Sequence, residues 1–169
     1  MAASPPASTS VSTPAATTTT ASSPASTSVG GSLNGVDPCG VLTPSSLPSA
    51  WGTLTVDADP AVQLGDGACD LSNQRTALAV GVTLYLGPGR GVQSLITTIS
   101  APVLDSVIAG RPVKMYDDAA ATGTCGILFD FGPDQSITVA ASPPVDNSLK
   151  ACDVATTAAT AMAPNLPPS

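Results

Sequence analysis

The chain contains no histidine and no glutamate: all twelve acidic residues are aspartate, and the bases are Arg75, Arg90, Arg111, Lys114 and Lys150. Without histidine it lacks the commonest general base and the commonest metal ligand. Only 10% of the residues are charged and 3% are aromatic, against about a quarter charged in ordinary domains. Five scattered bases and a net charge of -7 give no cationic stripe to displace counterions from phosphates, which argues against nucleic-acid binding. Long apolar runs are also missing. The longest, residues 77–86, is broken by Gly81 and Thr83 and falls far short of the roughly 20 residues that a membrane helix needs. The start has neither a basic n-region nor an apolar h-region, so no secretory signal is expected in this chain.

What the chain has in excess is small hydroxylated residues. Between residues 1 and 28 nearly every position is Ser, Thr, Ala or Pro, none is charged, and apart from Met1 the only large apolar side chain is Val11. Such a stretch buries too little apolar area to offset its ordering entropy. Residues 1–33 are therefore expected to be a disordered stalk, running through the Gly30-Gly31 pair, and residues 34–169 a single folded domain. The composition also matches O-glycosylated stalks. A coil of that length reaches roughly 30 Å.

Cys39, Cys69, Cys125 and Cys152 form no CxxC pair. Structural zinc sites draw ligands in close pairs, so neither a metal site nor a thioredoxin-like motif is expected. Two structural disulfides are, and they place the domain in an oxidising compartment. Four cysteines allow three connectivities. Cys39 with Cys69 and Cys125 with Cys152 gives two nearly equal loops, each joining a helix start to a neighbouring hairpin.

The folded part opens with a turn at Asp37-Pro38-Cys39-Gly40. Thr43-Pro44 reads as an N-cap with Pro at the first position of a short helix, and Trp51 to Val56 as a first strand. From Thr76 to Leu86 the period is two: Leu78, Val80, Val82, Leu84 and Leu86 share one face, and Ala79, Gly81, Thr83 and Tyr85 the other. Gly87-Pro88-Gly89-Arg90-Gly91 turns the chain into a helix carrying Val92, Leu95, Ile96 and Ile99, with Val103 to Ile108 continuing as a second short helix after Pro102. Arg111 to Tyr116 reads as extended, and Cys125 to Ala141 as a hairpin turning at Gly132-Pro133-Asp134-Gln135. A last helix starts near Asp146 or Ser148 and carries Leu149, Cys152, Ala155, Ala159 and Met162 on one stripe. Segments 67–86 and 123–141 look like two copies of a Cys-bearing hairpin. The fold class is α+β: a largely antiparallel sheet of two hairpin-like units packed against about three helices.

Few residues suggest chemistry. Gly89, Arg90 and Gly91, at a strand-to-helix turn, are the candidates for anion binding, although Pro88 removes one amide and the spacing departs from GxGxxG. Asp57, Asp59, Asp66 and Asp70 lack the order and the Glu of a calcium loop. With no histidine, nucleophilic catalysis would need Ser with Lys114, Lys150 or an Asp, and neither lysine sits in an SxxK pattern. Paired carboxylates would need Asp105 or Asp130, and Asp130 is expected to face solvent. No catalytic residue, cofactor or metal is assigned.

Asp37-Pro38-Cys39-Gly40-Val41-Leu42-Thr43-Pro44, Gly67-Ala68-Cys69, Ala109-Gly110-Arg111-Pro112-Val113, Thr124-Cys125-Gly126-Ile127-Leu128 and Ala151-Cys152-Asp153-Val154-Ala155 leading to Leu166-Pro167 resemble the actinobacterial cell-envelope lipoproteins grouped as a four-cysteine domain of unknown function. The resemblance spans residues 37–167. It departs at Leu71, where that family usually has an aromatic residue, and at Pro48, which interrupts a longer first helix. It implies an exported precursor, lipid-anchored at the cell surface through a cysteine absent from this chain, with the stalk as linker. The expected function is that of a non-catalytic, monomeric extracytoplasmic domain binding or sensing an envelope protein or glycan. A carrier of a small apolar or lipidic ligand, held between sheet and middle helix, is the alternative, and a Ser-dependent hydrolase the third reading.

Overall fold

Alternating apolar residues along six segments, with a short seventh, assemble into one antiparallel sheet. The computed structural model describes residues 31–58, 66–146 and 148–168; residues 1–30 of the expected stalk and Asp59 of the acidic loop lie outside them. Strands β1 (Thr55–Asp57), β2 (Gly67–Asn73) and β3 (Leu78–Leu86) form one meander. Strands β4 (Val103–Ile108), β5 (Arg111–Asp118), β6 (Thr124–Asp130) and β7 (Gln135–Ser142) form a second. Pairing of β3 with β7 joins them in the order β1-β2-β3-β7-β6-β5-β4. The α+β architecture expected from the sequence is the one observed, with the two Cys-bearing hairpins, β2–β3 and β6–β7, side by side at its centre.

Register decides which side chains share a face. Cys69, Val82, Val139, Ile127 and Met115 stand opposite one another across five strands. The first four are fully buried. Over this face lies α3 (Ala151–Met162), packed across β6 and β7. Its buried stripe is Ala151, Val154, Ala155, Ala158, Ala159 and Met162. Alanine carries nothing beyond Cβ, so the helix axis approaches the sheet closely and Met162 and Val154 fill what remains. Trp51, Phe129 and Phe131 complete this core.

Several local expectations are corrected. The Thr43-Pro44 helix is a single 3-10 turn, Pro44–Ser46, in which Thr43 and Ser46 form a capping box and the C-cap Leu47 precedes Pro48. Trp51 ends another 3-10 turn, so the first strand covers only Thr55–Asp57. The middle helix is one turn, α2 (Val92–Leu95), followed by a 3-10 turn at Ile96–Thr98. Val103 to Ile108 is strand β4 rather than helix. Six apolar-rich residues do not distinguish the two periods, but β-branched Val103, Val107 and Ile108 favour a strand. The turn that follows decides it: Ala109 and Gly110 have φ of 49° and 79°, the two left-handed residues that close a tight hairpin to β5. The final helix starts at Ala151, because the Asp146 carboxylate accepts the Ser148 amide at 3.0 Å and closes a turn instead.

The stalk boundary also moves. Leu33 is fully buried and its amide donates to Gln135 Oε1 at 2.7 Å, while the Gly31 amide donates to the Pro168 carbonyl at 2.9 Å. Residues 31–33 therefore belong to the domain, whose two ends meet. Arg111 fastens the C-terminal end by donating to the carbonyls of Pro167 at 2.7 Å and Leu166 at 3.1 Å.

Cys39, in the one-turn helix α1 (Pro38–Val41) capped by Asp37, is bonded to Cys69 of β2, and Cys125 of β6 to Cys152 of α3. The loops closed are 30 and 27 residues long, each contributing about 3–4 kcal/mol on the chain-entropy account. Replacing Cys125 and Cys152 together by Ala is expected to lower the unfolding free energy in urea by about that amount, and the unreduced parent chain is expected to take up no thiol reagent.

Candidate functional site

The side chains between the core positions project to the opposite face of the sheet. Register arranges them in rows. Asp70, Gly81, Ala140, Gly126 and Tyr116 form one row, and Thr83, Thr138, Leu128 and Lys114 the next. Tyr85, Ser136 and Asp130 form a third. Among the described residues the only helical cover on this side is α2. Its Val92 is buried and lines a small cavity with Leu128.

Both tyrosines of the chain stand here, half-buried. The Tyr116 ring occupies the space above Gly126: a Cβ at position 126 would come within 2.2 Å of its Cε1 and Cζ. Gly126 is required for that reason, the aromatic ring covering a cross-strand glycine. Across the face, the Arg90 guanidinium lies 6.0 Å from the centroid of the Tyr85 ring, the outer limit of a cation–π contact. Burial pushes both phenols above their usual range; the charge of Arg90 partly opposes this at Tyr85, whereas Tyr85 and Asp118 add to it at Tyr116.

Four hydroxyls on these rows, those of Thr83, Tyr85, Tyr116 and Thr138, make no side-chain hydrogen bond among the described residues, whereas Ser136 beside them donates to the Arg90 carbonyl at 2.7 Å. Thr138 is only 8% exposed, yet among the described residues no fully enclosed side-chain polar atom lacks a partner, so its hydroxyl still meets solvent. Buried polar groups are normally paired within the protein, with water or with a ligand.

The residues proposed from sequence are placed differently. The Gly89 amide donates to Asp134 Oδ1 at 3.2 Å, the Arg90 amide to the Gly87 carbonyl at 3.1 Å, and the Gly91 amide to the Pro133 carbonyl at 2.9 Å. These bonds occupy the amides an anion would use, and a carboxylate already stands at the turn. Of the three, Arg90 contributes to the open face through its side chain. In the acidic loop, Asp66 accepts the Leu86 amide and Asp70 covers Gly81, and among the described residues no group of three or more acidic or cysteine side chains is placed to hold a metal ion. Lys114 pairs with Asp105, and Asp130 is exposed as expected. Beside α2, where a carried ligand was expected, the cavity is only about 110 Å³, against several hundred for small-molecule sites. A larger cleft of about 340 Å³ lies beside the start of α3, lined by Asp117, Lys150 and Asp153 among others.

Tyr85, Tyr116, Thr83 and Thr138 were not singled out from sequence. The signal was present: Thr83 and Tyr85 alternate with the core residues of β3, and the same alternation applies to Thr138.

A family model described as "Protein of unknown function (DUF3558)" matches residues 2–165. The chain belongs to this family. No curated protein and no solved structure matches it. For this DUF3558 domain the family assignment covers all seven strands, α3 and both disulfides.

Two outcomes are expected at the tyrosines. An ultraviolet titration is expected to place both phenol midpoints above the free-tyrosine value of about 10. Because the folded values lie above the unfolded one, this contribution to stability is complete below about pH 10 and is lost as pH rises through the folded values. Gly126→Ala is expected to displace the Tyr116 ring, returning its midpoint toward that of free tyrosine and destabilising the domain by about 1–3 kcal/mol in urea.

Proposed function

We propose that this DUF3558 domain is a non-catalytic extracytoplasmic module that binds or senses a component of the cell envelope through the face bearing Tyr85, Tyr116 and Thr138. The observation that carries the reading is the pair of half-buried tyrosine rings that the core does not absorb, whose own hydroxyls and those of Thr83 and Thr138 make no side-chain hydrogen bond among the described residues. Two disulfides support an oxidising compartment. The absence of His and Glu, with Lys114 held by Asp105, supports binding over catalysis. Lipid anchoring of a precursor at the cell surface, with the Ser/Thr/Pro/Ala stretch as tether, rests on the resemblance to envelope lipoproteins.

Sedimentation with washed cell-envelope particles tests the reading. The oxidised full chain is expected to be retained saturably, and Tyr85→Ala with Tyr116→Ala to lose at least about tenfold in affinity, some 1.4 kcal/mol. Retention that is unchanged in the double variant would place binding elsewhere and overturn the assignment of the face.

A further inference from the structure

The chain has two phenylalanines, one tryptophan and two tyrosines. The phenylalanines and the tryptophan lie in the core, so both remaining rings stand on the open face. We propose that this face is a platform for a carbohydrate chain, with Tyr116 and Tyr85 as stacking surfaces and Thr138 as the hydroxyl reaching up from the floor between them. The proposal rests on the binding reading above and names the class of ligand.

The chemistry of the surface selects this class. A pyranose ring presents an apolar C–H face bordered by hydroxyls, so it needs aromatic rings beside short donors and acceptors. The rows supply both. Tyr116 is held above Gly126, Tyr85 lies near Arg90, and Thr83 and Thr138 stand as register neighbours between them. Thr138 is 8% exposed as a residue, and its hydroxyl, which makes no side-chain hydrogen bond among the described residues, keeps the solvent contact through which a ligand hydroxyl would bond it.

Other classes fit less well. A protein interface or a lipid would need large exposed aliphatic side chains. Among the described residues these are Val56, Leu104, Val107 and Val145, all off the five central strands, and of the three on the edge strands β1 and β4 a single one, Val107, projects to the tyrosine face. Charge on the face is mixed, with Arg90 and Lys114 sharing it with Asp70, Asp105 and Asp130 and Lys114 paired to Asp105, which does not favour a polyanion. The volumes described above lie beside α2 and at the start of α3, and neither is lined by a tyrosine. The site is a surface and not a pocket, and so suits several residues of a polymer more than one small molecule.

The oxidised full chain is titrated with two soluble probes, a β-1,4-linked N-acetylglucosamine oligomer and a maltodextrin oligomer, while the ring resonances of Tyr85 and Tyr116 are followed by NMR. Saturable shifts of both rings are expected with at least one probe, at a Kd of about 1 mM or tighter. Tyr116→Ala is expected to weaken binding about tenfold and Thr138→Val about threefold, whereas Tyr116→Phe, which keeps the ring, retains most of the affinity. Thr138→Val is nearly isosteric, so it decides the matter if Tyr116→Ala disturbs the fold; unchanged Trp51 fluorescence reports an intact core. Absence of saturable shifts with both probes up to about 10 mM, or affinity indifferent to Tyr116→Ala and Thr138→Val, overturns the proposal. If envelope retention stays tyrosine-dependent while no oligosaccharide shifts the rings, the carbohydrate class fails and the binding reading stands. Retention independent of the tyrosines defeats both.

Discussion

The close seating of α3 on β6 and β7 is the constraint from which the rest of the molecule follows. It depends on Ala155, Ala158 and Ala159, all fully buried, because larger side chains would lift the helix from the sheet. The Cys125–Cys152 bond fixes the start of the same helix to β6. Once one face is closed in this way, every second residue of the central strands must project to the other.

A chain this poor in aromatics has few ways to fill a core. It uses Trp51, Phe129 and Phe131 inside and relies on β-branched strand residues, alanine packing and two covalent links for the rest. Holding two tyrosines out of that core is therefore informative, since burying either ring would add a large apolar area. Their positions are also prepared: Gly126 is kept bare beneath Tyr116, and the Gly87–Gly91 turn, tied down through Asp134, Pro133 and Ser136, brings Arg90 to Tyr85. The glycine turn that suggested an anion site has its Gly89, Arg90 and Gly91 amides bonded within the protein.

The regular elements were legible where periodicity ran long. β3 displays its alternation over nine residues, the β6–β7 hairpin carries an explicit turn, and the Ala-rich stripe of α3 repeats for three turns. Short segments were ambiguous. Val103–Ile108 fits a helix or a strand equally well until Ala109 and Gly110 adopt left-handed conformations and pair it with β5. Leu33 looked like the end of a polar tail because its packing partners lie far along the chain, and its hydrogen bond to Gln135 spans 102 residues.

Composition and local pattern by themselves determined the class of this protein: one α+β domain with four cysteines, no histidine and no glutamate, and a long Ser/Thr/Pro/Ala segment before it. Those properties are additive along the chain, so they can be read without knowing what touches what. Only the tertiary structure decided which alternating face is covered and which hydroxyls lack partners. Those depend on register between strands distant in sequence: Tyr85 and Tyr116, thirty-one positions apart (116−85), share a surface because β3, β7, β6 and β5 lie side by side in that order.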